Sequence, residues 1–202
     1  MPSKKYSQHL CVYCQVQRST ATADHIFARQ FFLVSDRDSL PKAPCCKACG
    51  TQKSIDEHYL TAVLPFGGRH PGARANLTSM VPKRLAQNRR LRERLASGLQ
   101  ISITGKPMLI PLETDRIQRL FERVTVGLLW HSWRIYLPTA YSVQSALLSP
   151  TGEEFFNRLF SLHAQGRVSV NLGDGTVEYT GAQSPADPAF SIWRIGCTAD
   201  CR

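Results

Sequence analysis

The tightest constraint on this chain is a pair of C-x-x-C motifs, Cys11 with Cys14 in "CVYC" and Cys46 with Cys49 in "CKAC". Two thiolates separated by two residues can reach one tetrahedral zinc ion, and two such pairs make a four-thiolate site. The stretch between the pairs exceeds the roughly 15–20 residues of an ordinary zinc ribbon, so a folded element has to fit between the knuckles. Cys45 competes with Cys46, but only Cys46 keeps the two-residue spacer to Cys49, which makes Cys45 a neighbour rather than a ligand. Cys197 and Cys201, spaced C-x-x-x-C without matching histidines, stay unassigned. The basic N-terminus "MPSKKYSQHLCVYC" has no apolar run behind it, so a cytoplasmic protein is expected. Seven cysteines there fit metal ligands and reduced thiols better than disulfides.

Between the knuckles, "TATADHIFARQFF" predicts a short strand ending at Asp24-His25, followed by a turn or helix. A carboxylate next to an imidazole can serve one metal-dependent reaction. The carboxylate binds a divalent cation while the neutral ring takes a proton from water. A surface Asp-His dipeptide with no such role has the same sequence.

Charge narrows the partners. Lys and Arg number 25 against 15 Asp and Glu, a net charge of +10, which favours polyanions and nucleic acid first among them. After the Gly- and Pro-rich "PFGGRHPGARANL", read as a loop, comes a predicted helix "VPKRLAQNRRLRERLASGL". Pro82 suits its first turn and Gly98 its stop. Leu85, Leu91 and Leu95 form a partial apolar stripe, while Lys83, Arg84, Arg89, Arg90, Arg92 and Arg94 cover much of the remainder. Such a helix is either an ordinary solvated amphipath or a grip on phosphates that reads no sequence. The longest apolar segment, "VTVGLLWHSWRIYLP", is interrupted by His131 and Arg134 and is too short to span a bilayer, so no membrane partner is expected.

Downstream, "ISITGKPMLIPL" predicts a hairpin and "DRIQRLFERVTVGLLWHSW" a helix whose Ile117, Leu120, Phe121, Val124 and Leu128 face the core. His131, at the end of that helix, reads as structural. A further helix is expected at "GEEFFNRLFSLHAQG", and Asp174-Gly175 marks a second hairpin within "RVSVNLGDGTVEYTG". "AFSIWRIGC" supplies one more strand. The expected class is α+β, organised as a zinc-stapled module over 1–66, a basic loop and helix over 67–100, and a C-terminal α+β region over 101–202.

The order "CVYC", "ADHIF", "PKAPCCKACGTQKSIDEHYL" resembles the His-Asn-His (HNH) endonucleases, in the subset whose ββα-metal site is held by two C-x-x-C knuckles. The C-terminal half is loosely similar to the tails of a group of bacterial HNH proteins. The resemblance implies a DNA endonuclease with His25 as general base and Asp24 and His58 as ligands of a catalytic Mg²⁺ or Mn²⁺. It also implies a structural Zn²⁺ on Cys11, Cys14, Cys46 and Cys49. Lys53 and Ser54 match the "KS" that often follows the second knuckle. The chain departs from the family at Gly50, where an asparagine usually pins the loop and orients the base. Thr51 or Gln52 takes over that task, or the site is a binding module.

Three readings follow. The first is an HNH nuclease on double-stranded DNA, in a phage-defence or mobile-element setting that the resemblance implies, with a defence-system partner; a paired cut would need a homodimer. The second is a catalytically inactive zinc module that binds nucleic acid through the arginine-rich helix. The third is a protein-interaction adaptor with an incidental basic surface.

Overall fold

The computed structural model describes residues 6, 9–16, 22–67, 71–98, 112–162 and 166–197. Among them are six α-helices and two small antiparallel sheets, a mixed α+β arrangement. Strand β1 (Thr22–His25) pairs with β2 (Lys42–Cys45), His25 opposite Lys42 and Asp24 opposite Ala43. Two 3-10 turns, Arg29–Phe31 and Val34–Asp36, fill the connection between them. Helix α1 (Lys47–Gly67) follows β2 at once, so the second C-x-x-C forms the junction of strand and helix.

The Gly- and Pro-rich stretch is not one long loop. Helix α1 runs through Pro65 to Gly67, and α2 (Pro71–Ser79) starts on a proline. Proline suits a first helical turn, where its missing N–H would have had no partner. The arginine-rich segment is likewise two helices, α3 (Val81–Gln87) and α4 (Arg89–Ser97). Asn88 separates them, because its side chain accepts a hydrogen bond from the Leu91 N–H at 3.1 Å and so caps a new helix.

Helix α5 (Thr114–Trp133) matches the predicted apolar face: Leu120, Val124 and Leu128 are buried. His131 in its last turn places Nδ1 3.1 Å from the Lys42 carbonyl, tying α5 to β2 opposite His25. Helix α6 (Pro150–Leu162) precedes a three-stranded sheet ordered β3 (Val168–Leu172), β4 (Val177–Gln183) and β5 (Ser191–Cys197). The hairpin predicted at "ISITGKPMLIPL" lies outside the described residues except for Leu112, as does Cys201. One continuous core joins Ile26, Phe27 and Phe32 beside the first hairpin to Tyr59 and Leu60 of α1, Leu120 and Leu128 of α5, and Val177 and Tyr179 of β4. No helix among the described residues is long and apolar enough to cross a membrane.

Candidate active site beside a four-cysteine cluster

The first knuckle is a tight turn. Gln15 sits in the left-handed region at φ 55°, and its N–H donates to the Cys11 carbonyl at 2.8 Å. The Val12 N–H donates to the Pro44 carbonyl at 3.0 Å and so fastens the knuckle to β2. In the second knuckle Gly50 N–H donates to the Cys46 carbonyl at 3.0 Å, a helical turn that puts Cys46 and Cys49 on one side. The four sulfurs of Cys11, Cys14, Cys46 and Cys49 all lie within 4.8 Å of one another, with Cys14 and Cys46 at 3.9 Å. Bonds of about 2.3 Å to zinc place tetrahedral sulfurs about 3.8 Å apart. The cluster therefore fits a metal such as zinc, as the spacing predicted.

Cys45 lies outside that set. Its thiol is the hydrogen-bond partner that, more than any other influence, pulls Cys11 down to about 4. Backbone groups at Cys46, Cys14 and Tyr13 act in the same direction, and burial opposes them. The same contact, followed by burial, pushes Cys45 up, and the Cys45 thiol donates to the Cys46 carbonyl at 3.1 Å.

Beside the cluster, between the end of β1 and the first turn of α1, lies a cavity of about 350 Å³. Asp24, His25, Cys45, Lys47, Gly50 and Thr51 are among its lining residues. The Oδ2 atom of Asp24 accepts a hydrogen bond from the Tyr13 hydroxyl at 2.6 Å and faces Lys53 Nζ at 3.0 Å. Lys53 is completely buried. It also donates to the His25 carbonyl at 2.7 Å and pairs with Glu57, so one ammonium ties α1 to both residues at the end of β1. Burial raises the Glu57 carboxyl, with Lys53 opposing. His25 is pulled down to about 4, first by burial and then by the positive charges of Lys42 and Arg29, with Asp24 opposing. At neutral pH the ring is uncharged and can accept a proton.

The structure brings Asp24 and His25 together and leaves His58 outside their cavity. Lys53 and Glu57, four residues apart, share the helix face turned to β1, whereas His58 is about 100° further round and exposed. Among the described residues the four cysteines are the only group of three or more His, Cys, Asp or Glu within ligating reach of one another. Gly50 faces the cavity, and a Cβ added there would meet only Cys45 Sγ, at an ordinary 3.4 Å. The position has room for a side chain.

The predicted basic patch divides. Lys83, Arg90 and Arg92 are exposed and make no ion pair among the described residues. Arg89 pairs with Glu93 at 2.7 Å and Arg94 with Glu113 at 3.3 Å. Arg84 is turned inward, where it donates to the Thr61 carbonyl at 2.8 Å and to the Gln30 carbonyl. Sequence reasoning gave no role to Tyr13 or Glu57, and picked out Lys53 only through the "KS" match. The other signal was the four-residue spacing of Lys53 and Glu57, which more often marks a solvated ion pair. A larger cavity of about 700 Å³, lined mainly by apolar side chains such as Phe121, Leu129, Phe156 and Trp193, lies between α5, α6 and β5. No family model matches this chain, and no curated protein or solved structure matches it either.

Proposed function

We propose that this chain is a metal-dependent endonuclease of the HNH type, hydrolysing phosphodiester bonds in DNA. The observation that carries the reading is one cavity, with Lys47 in its wall, holding a carboxylate and an uncharged imidazole side by side next to a four-cysteine cluster that fits zinc. His25 would take the proton from the attacking water, a role that requires its ring to be uncharged when the water approaches. Asp24 offers Oδ1, which carries none of the bonds made by Oδ2, to a hard divalent cation. Mg²⁺ is commonly held by one or two carboxylates together with substrate phosphate oxygens and waters, so a cavity with one such carboxylate fits it. The ion, Mg²⁺ or Mn²⁺, supplies Lewis-acid stabilisation of the developing phosphate charge. Lys42, Lys47 and Arg29 would draw the nucleic-acid backbone toward His25, and the knuckles would hold hairpin and helix in register.

Cleavage of supercoiled plasmid in EDTA, Mg²⁺, Mn²⁺ or Zn²⁺, with wild type beside His25→Ala, tests the reading. Nicked or linear product should require the divalent metal and fall by about 100-fold or more in the variant. Gly50 and the exposed His58 favour a second reading, a module that binds nucleic acid without cutting it. That reading takes over if no metal supports cleavage while the plasmid is still retarded in a salt-dependent way. Lys83, Arg90 and Arg92 are then the side chains whose replacement should flatten the salt dependence.

A further inference from the structure

The two C-x-x-C knuckles and the Asp24–His25 cavity are linked by one side chain, Tyr13, which sits inside the first knuckle between Cys11 and Cys14. Its hydroxyl donates to Asp24 Oδ2 at 2.6 Å. The backbone on either side of it is fixed twice, by the bond from Gln15 N–H to the Cys11 carbonyl and by that from Val12 N–H to the Pro44 carbonyl. Lys53 approaches the same oxygen from α1 at 3.0 Å. Two donors, one from the knuckle and one from α1, fix one oxygen of the carboxylate and with it the direction in which Oδ1 points.

We propose that Tyr13 is a positioning residue that transmits the order of the four-cysteine cluster to Asp24, so that a divalent cation in the cavity is bound well only when the knuckle is intact. This rests on the reading of Asp24 as a cation ligand. Hydrogen bonds that orient a ligating carboxylate typically change metal affinity by 10- to 100-fold when removed. Tyr13→Phe removes the hydroxyl and keeps the ring, so the knuckle's packing survives.

The test titrates Mn²⁺ alone into zinc-loaded full-length protein and follows paramagnetic broadening of the backbone amide signals around Asp24, His25 and Thr51. Wild type, Tyr13→Phe and Asp24→Asn are compared. Zinc content, and the thiolate bands after replacement of zinc by Co²⁺, report the knuckle separately. The expected result is that Tyr13→Phe keeps its zinc and its Co²⁺ spectrum but needs about tenfold more Mn²⁺ for half-broadening. Asp24→Asn should show no site-specific broadening. If Tyr13→Phe titrates like wild type while Asp24→Asn does not, the positioning role is overturned and the cation reading stands. If Tyr13→Phe also loses zinc, the tyrosine is merely part of the knuckle's structure and the proposal is again overturned. Broadening in wild type that does not depend on Asp24 would overturn both readings.

Discussion

Single residues set the chemistry of this molecule, and His25 shows how far burial can carry it. Folded, the ring takes its proton only near pH 4; free of the fold it does so near 6.5. As pH falls from neutrality the unfolded chain therefore protonates first. Stability owed to the uncharged ring is complete above pH 6.5 and is lost between 6.5 and 4. A metal held by the knuckle thiolates would also be released in acid, so the informative quantity is a difference between two proteins. Urea unfolding of wild type and His25→Gln across that window should show wild type losing its stability relative to the variant as the pH falls. A constant difference would mean that the ring is not held uncharged by its surroundings.

Among the elements, α1 is the one whose organisation explains most of the others. Pro65 has no N–H to give to the Thr61 carbonyl four residues back, and Arg84 of α3 supplies a substitute donor at 2.8 Å while its other arm reaches the Gln30 carbonyl. Burial lowers this guanidinium to about 10, the mark of an arginine serving inside the fold. Arg84→Met should cost about 1–3 kcal/mol in urea denaturation, because two carbonyls lose a charged donor. The penalty should shrink in a Pro65→Ala background, where the helix closes its own bond and the two changes are not additive. What the sequence made legible here was local: cysteine spacing, the apolar face of α5, the Asp174-Gly175 turn and the strand ending at His25 each depend on residues close together in the chain. What it hid depends on helical phase against a distant partner. Lys53 and Arg84 look like solvated cations until β1 and α1 are packed around them. His58 lies one residue beyond the face that meets Asp24, a difference that composition and spacing do not encode. The start of α2 on Pro71 and the break at Asn88 went unread because proline and asparagine each punctuate loops as readily as helix ends.

At the scale of the whole molecule, the cavity belongs to a structure held together from both halves of the chain. Phe27, two residues after His25, packs in a tilted arrangement on Tyr179 of β4 with 5.6 Å between ring centroids, and Phe32 packs beneath the turn joining β3 to β4. Gly173 in that turn lies at φ +59°, where a side chain is strained, and a Cβ there would come within 2.7 Å of Phe32 Cδ1. Because Ile26, Phe27, Val177 and Tyr179 share one core, the C-terminal sheet and the four-cysteine module are expected to unfold together. Two probes can follow the halves separately: thiolate bands of Co²⁺ placed on the cysteines for the first, and for the second the fluorescence of Trp193 in β5, once Trp130→Phe and Trp133→Phe have removed the two tryptophans of α5. Their denaturation midpoints should coincide in that background. Gly173→Ala should lower both by the same amount, a destabilisation of about 1–3 kcal/mol from overpacking alone. A fluorescence transition that shifts while the thiolate transition stays in place would show that the cysteine module stands independently of the sheet, and that the residues around His25 draw no support from it.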